Sequence, residues 1–265
     1  MRHAHQVGEK ESTTTSIIEH EKKESIRLNK YISSSGHCSR READRFIEDG
    51  KVMIDGVIAE VGSKVFDNQE VFVNGNKIIP KQDFVYIVLN KPTGITCTTD
   101  QADQDNIVDY LNYKEPLFPI GRLDKDTSGL ILMTNDGDIV NKILRSTYKH
   151  EKEYIVSINA NITPTFIERM QSGLKIYNAV TKKYQMTKPC KVKKINSRTF
   201  SLILTEGLNR QIRRMCTVLG FRVVKLKRIR VMNIELKEME VGTWRYVTKE
   251  ELQILNKSIQ KSKVK

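Results

Sequence analysis

The stretch Gly121-Arg122-Leu123-Asp124-Lys125-Asp126-Thr127-Ser128-Gly129 runs directly into the apolar segment Leu130 to Met133. A basic residue and an acid in a Gly-bounded loop that feeds a buried strand mark a site on a rigid scaffold. Alone, the loop also fits a plain polar turn, so the surrounding sequence must decide.

The chain of 265 residues is long enough for one large domain or two smaller ones. No apolar run is long enough for a membrane span, and the N-terminus lacks a signal-peptide core. Cys38, Cys97, Cys190 and Cys216 lie far apart without a CxxC pair, which fits reduced thiols in a cytoplasmic protein. The net charge of +13 points to a polyanion partner, most simply nucleic acid. From Gly207 to Arg230 there are eight Lys/Arg residues and no Asp or Glu. A solvated helix face would mix both signs, so this stretch suggests a phosphate-lined groove.

Residues 1–25 are polar and read as a disordered extension, with His3, His5 and His20 solvated rather than metal ligands. Leu28 and Ile32 fit one face of a short helix ending near Gly36. Ser39 and Glu42 form a capping box for a second helix that buries Ala43, Phe46 and Ile47. Arg40, Arg41 and Arg45 are left outward near its start, where they can bind phosphate. Asp55-Gly56 and Asn74-Gly75 then mark two tight hairpins. Residues 26–79 thus form a first module, and Pro80 to Asp83 a linker.

A second domain spans residues 84–256, followed by a basic tail at 257–265. Phe84 to Leu89 reads as a strand, Asn90 to Gly94 as a turn, and Ile107, Val108 and Leu111 as a short helical face. Leu130 to Thr134 is a buried strand, and Asp138 caps a helix through about Arg145 with Ile139, Ile143 and Leu144 inward. Glu153 to Val156 begins a strand, Thr163-Pro164 opens a helix closed by Gly173, and Phe200 to Leu204 leads into a helix ending at Gly220. Trp244 reads as core, and Thr248 with Glu251 caps the last helix.

Familiar site types fail on spacing. Asp124, Asp126 and Ser128 open like a calcium loop, but Asn135 stands where the bidentate Glu belongs. An Asp-dependent phosphatase needs a continuous apolar strand before its first Asp, and Gly-Arg-Leu precedes Asp124 instead. No GxxxxGK[ST] or GxGxxG occurs. His150 beside Glu151 has no nucleophile motif near it.

LNKYI and CSRREADRFIEDGKVMIDG resemble the α-L RNA-binding module of the ribosomal S-four type, from about Arg27 to Asn74. NKPTGI, GRLDKDTSGLILMTNDG, KEYIV and EGLNRQIRRM, in this order, resemble the motifs of pseudouridine synthases, specifically the RsuA family. FPIGRLDKD, GDIVNKILR and HEKEYIV look closest to a member acting on large-subunit rRNA. The resemblance implies an α+β protein: the small α-L module, then a mixed, mainly antiparallel catalytic domain. It implies isomerisation of a uridine in structured RNA, without cofactor or metal. It also implies rRNA as partner, chiefly large-subunit rRNA with small-subunit rRNA or tRNA as alternatives, no membrane, and a monomer.

By motif match, Asp124, Tyr154 and Arg213 are the catalytic set. Asp124 acts as nucleophile or as base, and the sequence leaves both routes open. It must be ionised, and Arg213 is the expected ion-pair partner in its apolar pocket, with Arg214 pointing toward RNA or solvent. Tyr154 stacks on the uracil, and Arg122 fills the space left by the flipped base. Lys91 and Pro92 shape the floor, and Asp126 caps the loop through an Asx turn. The expected RNA contacts are Gly121, Arg122, Leu123, Gly207, Leu208, Asn209, Arg210 and Arg214, with Arg27, Lys30, Arg40, Arg41 and Arg45 from the module. The rival from another class is a non-catalytic RNA-binding factor for ribosome assembly on the same fold.

Overall fold

The computed structural model describes residues 3–8, 24–81, 83–144, 149–178 and 181–261. The Ser39 hydroxyl accepts from the Glu42 amide at 3.3 Å, and the Glu42 carboxylate accepts from the Ser39 amide at 2.9 Å. This closed capping box starts the second helix where the sequence requires it. The chain begins with β1 (His5–Gln6) and continues into the module as β2 (Ser25–Arg27), α1 (Leu28–Ser34) and α2 (Arg40–Glu48). Short strands follow: β3 (Val52–Ile54), β4 (Val57–Ile58), β5 (Lys64–Phe66), β6 (Val71–Val73) and β7 (Asn76–Ile78). Asp55 and Asn74 adopt positive φ ahead of Gly56 and Gly75, as tight hairpin turns demand. Leu28, Ile32, Ala43, Ile47, Val52 and Val71 form the module's core. Phe46 is only half-buried, because it packs beside His37 with the Lys51 ammonium 5.9 Å over its ring.

The larger unit runs β8 (Tyr86–Lys91), α3 (Ile107–Leu111), β9 (Phe118–Ile120), β10 (Ser128–Thr134), α4 (Gly137–Leu144) and β11 (Lys152–Ile158). It continues with α5 (Pro164–Ser172), β12 (Lys175–Asn178), β13 (Lys183–Met186), β14 (Lys191–Lys194), β15 (Thr199–Leu204) and α6 (Gln211–Val218). It closes with β16 (Val223–Val231), β17 (Ile234–Glu235), β18 (Thr243–Tyr246) and α7 (Lys249–Lys261). A ten-stranded sheet has the order β1-β18-β8-β10-β16-β11-β15-β14, with β9 and β17 paired at its sides. Its pairs are antiparallel except β10 with β16 and β1 with β18. Successive residues of a strand point to opposite faces, and here both faces are covered. Tyr86, Val88, Leu130 and Leu132 join a cluster with Ile139 of α4 and Leu252 of α7. Ile87, Leu89, Ile131 and Met133 join Ile107 of α3 and Trp244 on the other face. That double burial is why β10 reads as an unbroken apolar run.

Several expectations need correction. Residues 3–8 do not behave as a disordered extension: His5 and Val7 donate to Gly242 and Trp244, adding a strand to β18. An uncovered β18 would expose a row of backbone groups, and tertiary pairing overrides the polar local composition. His20 lies outside the described residues. The cap of α4 is Asp136, whose Oδ1 accepts from the amides of Asp138 and Ile139 at 3.0 and 3.3 Å. Asp138 instead meets Lys30 at 2.5 Å, tying the module to the catalytic unit. Leu144 is part-exposed rather than inward, and the expected end at Arg145 lies outside the described residues. Residues 257–261 continue α7 rather than fray, because Ile259 is buried in the core.

Candidate active site

Gly129 fixes where the loop enters the sheet. A Cβ there would sit 2.2 Å from the Arg228 carbonyl oxygen, and its φ of +107° is one that side-chain-bearing residues rarely adopt. The close approach puts Gly129 in register with Arg228, and Arg228 in register with Tyr154 on β11. Tyr154 is therefore two strand spacings, about 10 Å, from the end of the loop. Tyr154 packs into the same cluster as buried Leu123, the neighbour of Asp124. Sheet register thus brings the expected tyrosine and aspartate to one region.

The loop is held from beneath. The Leu123 amide donates to Cys97 Sγ at 3.3 Å, and the Gly94 amide donates to the Lys125 carbonyl at 2.8 Å. Lys91 is fully buried, with its Nζ donating to the carbonyls of Pro92 and Ile95 at 2.7 and 2.8 Å. Burial pushes the Lys91 ammonium down to about 8, against the opposing pull of Cys97, Asp124 and Asp126. Lys91 thus ties down the segment from Pro92 to Ile95, beside the loop.

The arginines are distributed differently from expectation. The cation at Asp124 is Arg210, whose Nη1 lies 3.5 Å from Oδ2. Arg213 instead donates through Nη2 to the Asp126 carbonyl at 2.9 Å and to Thr127 Oγ1 at 3.4 Å, and pairs with Asp126 Oδ2 at 3.2 Å. The expected pairing of Arg213 with Asp124 gives way because Arg210 adopts a left-handed conformation, φ 49° and ψ 33°, just before α6. That bend carries the Arg210 guanidinium over both carboxylates while Arg213 stays at the first turn. Arg210 also forks onto Asp126, at 3.2 and 3.1 Å. Asp126 is therefore the anchor of two arginines rather than an Asx cap. Burial opposes its charge, but the Arg210 hydrogen bonds and the charges of Arg213 and Arg210 outweigh it and hold the carboxyl below its usual range.

Of the expected RNA contacts, Gly121, Arg122 and Leu123 lie on the loop, Arg122 exposed and Leu123 buried. Gly207, Leu208, Asn209 and Arg210 form the facing turn. Sequence reasoning missed what holds that turn. Gln211 accepts from the Leu208 amide at 3.2 Å and donates to buried Glu206 at 2.7 Å. The available signal was an acid directly ahead of a basic stretch. Arg214 folds back onto Asn209 Oδ1 at 2.5 Å rather than extending to solvent. Arg27, Arg40, Arg41 and Arg45 are exposed on the module, whereas Lys30 is engaged by Asp138. A cleft of about 980 Å³ lies between module and catalytic unit, and Asp124 is not among its lining residues. Among the described residues no group of three His, Cys, Asp or Glu could hold a metal ion, and no helix is long and apolar enough to cross a membrane.

A small module of two helices and hairpins with Arg27, Arg40, Arg41 and Arg45 exposed, joined to a sheet domain whose carboxylate loop faces an arginine helix, fits an RNA-modifying enzyme. The RNA pseudouridylate synthase family matches residues 85–217, and the S4 domain family matches residues 26–71. The chain belongs to the RNA pseudouridine synthases. The dual-specificity RNA pseudouridine synthase RluF of Escherichia coli (strain K12) is 52% identical over 240 residues, 90% of this chain and 81% of that protein. Ribosomal large subunit pseudouridine synthase B of Bacillus subtilis (strain 168) is 34% identical over 232 residues, 86% of this chain and 95% of that one. A crystal structure described as a pseudouridylate synthase superposes with a TM-score of 0.63 at 28% identity, covering 87% of this chain and 99% of that one. These relatives bear out the RsuA-family reading and its likeness to RluF.

Proposed function

We propose that this enzyme isomerises a uridine of large-subunit (23S) rRNA, with Asp124 as the catalytic carboxylate acting on a base flipped out of its stack. The observation that carries this reading is the placement of Asp124. Its side chain is 30% exposed at the mouth of a loop held by Cys97, Gly94 and Arg213, with a guanidinium 3.5 Å away. The reaction breaks the bond from ribose to uracil nitrogen, turns the ring and rejoins it through carbon five. Substrate and product are isomers, so a positioned carboxylate and a proton acceptor suffice. Tyr154 stacks on the uracil and helps remove the carbon-five proton. Arg122 fills the vacated stack, offsetting a flipping cost of about a few kcal/mol. Arg213 serves the site by fixing the Asp126–Thr127 turn. Arg210, Arg214 and residues 207–209 line the RNA path, and Arg27, Arg40, Arg41 and Arg45 grip structured RNA from the module. The enzyme is read as a cytoplasmic monomer acting in ribosome biogenesis, in keeping with its four free thiols.

Replacing Asp124→Asn should abolish pseudouridine formation while sparing most RNA affinity; retained activity refutes the assignment. The dual specificity in the name of the RluF relatives favours a second RNA substrate, for which tRNA is our candidate. Mapping pseudouridines across rRNA and tRNA in a strain lacking this protein decides between one RNA and two.

A further inference from the structure

A second basic stretch is unused by the catalytic reading. From Lys175 to Arg198 the sequence has eight Lys/Arg residues and no Asp or Glu. Its first half is the hairpin of β12 and β13, a two-stranded sheet separate from the main one. Pairing sets Tyr177 opposite Tyr184 and Lys175 opposite Met186, so these four side chains share one face, while Ile176 and Asn178 belong to the other. Ile176 is fully buried and packs with Ile212 and Met215 of α6, the helix that carries Arg213. The opposite face is open: Tyr177 is 45%, Tyr184 66% and Met186 63% exposed. The two tyrosine rings lie 5.2 Å apart, tilted by 59°, and the Lys175 ammonium sits 5.5 Å over the Tyr184 ring.

Folding gives no reason to leave two aromatic rings and a methionine on one open face, since that apolar area costs free energy in water. A ring pair with an ammonium above it offers stacking surface and positive charge together, the two needs of an unpaired nucleotide strand. Exposed Lys182, Lys183, Lys188 and Lys193 extend the charge, while Lys191 is already paired with Glu151 at 3.5 Å. This charge density disfavours an apolar protein partner and matches a polyphosphate backbone. The hairpin is also continuous, through α6, with the catalytic end of the sheet.

We propose that the outer face of β12–β13 is a second RNA-binding surface, where Tyr177 and Tyr184 stack unpaired bases flanking the modified site and Lys175 and Lys182 neutralise neighbouring phosphates. It rests on RNA being the substrate. The test uses the full chain with Tyr177→Ala and Tyr184→Ala together, both side chains lying outside the core clusters. Affinity is measured for a bare RNA stem-loop and for the same stem-loop with single-stranded extensions. The double variant should bind the extended RNA about tenfold more weakly and the bare one nearly as wild type. Tyr177→Phe with Tyr184→Phe should restore binding, because stacking needs the ring and not the hydroxyl. Lys175→Gln with Lys182→Gln should lower the salt slope by about 1.4, roughly 0.7 per phosphate contact on a single strand. Single-turnover rates at saturating RNA should not change. Unchanged affinity for the extended RNA overturns the proposal, as does an equal loss on both RNAs with a slowed rate, which would locate the effect in α6. Binding is read without turnover, so absent pseudouridine in these RNAs would refute the rRNA reading while the affinities still judge the hairpin.

Discussion

Asp126 is where both arginines converge, which makes Asp126→Asn an informative perturbation. The variant keeps the shape of the side chain but removes the charge that binds Arg210 in a fork and Arg213 through Nη2. Asp126 is 50% and Arg210 43% exposed, so solvent limits their pair to about 0.2–1 kcal/mol. Arg213 is 15% exposed, and its pair adds toward the upper end of that range. Global stability should fall by about 1–2 kcal/mol, a melting shift of several degrees for a chain of this size. The rate should fall much further. Arg213 also holds the Asp126 carbonyl and Thr127 Oγ1, so loosening the pair frees the turn that aims Asp124. A displacement of about 1 Å at a reacting group costs roughly a hundredfold, equivalent to about 2.7 kcal/mol. The assay is single-turnover pseudouridine formation at saturating RNA for Asp126→Asn, Arg213→Gln and the double variant. The two losses should be strongly non-additive, since each removes the same support. A rate within about twofold of wild type for Asp126→Asn, or strictly additive losses, would refute the positioning role.

Two further predictions concern the scaffold. Lys91 titrates near 8 in the fold and near 10.4 in the unfolded chain, so between these values the unfolded state binds more protons and stability rises with pH. The gain, up to about 3 kcal/mol, should vanish in Lys91→Met; parallel denaturation curves for the two proteins from pH 7 to 10 would show that Lys91 is not the cause. Gly129→Ala forces a Cβ against the Arg228 backbone at positive φ, and should cost at least about 3 kcal/mol by combined strain and clash; a melting temperature within two or three degrees of wild type would exclude that close approach.

What the sequence made legible follows from how local each signal is. The capping boxes at Ser39 and Thr248, the Asp-Gly and Asn-Gly turns and the apolar run of β10 are set within a few residues, and each forms as read. The docking of residues 3–8 was not legible, because its cause is the bare edge of β18 some 240 residues later. The α4 cap lies at Asp136 rather than Asp138 because the helix begins at Gly137, which places Asp138 within its first turn. The family motifs bring Asp124, Tyr154 and Arg213 into one region of the fold, but motif order cannot say which arginine meets which carboxylate.

That last choice bears on the chemistry. Two carboxylates and two arginines could pair in either sense, and residue types alone do not prefer one. The left-handed turn at Arg210 breaks the symmetry. A non-Gly residue in that region costs about 1 kcal/mol or more, which the fork onto Asp126 partly offsets. Asp126 consequently takes the short contacts at 2.9 to 3.2 Å through its carbonyl and carboxylate, whereas Asp124 keeps one longer contact at 3.5 Å and a partly open side chain. A carboxylate saturated by two guanidinium groups is a poor nucleophile and a poor base, because its lone pairs are committed. By absorbing Arg213, Asp126 leaves the Asp124 lone pairs available to a substrate while a positive charge remains close by. On the proposed catalytic role of Asp124, the two acids of the loop divide one task, with Asp126 restraining the arginines and Asp124 left open to the substrate.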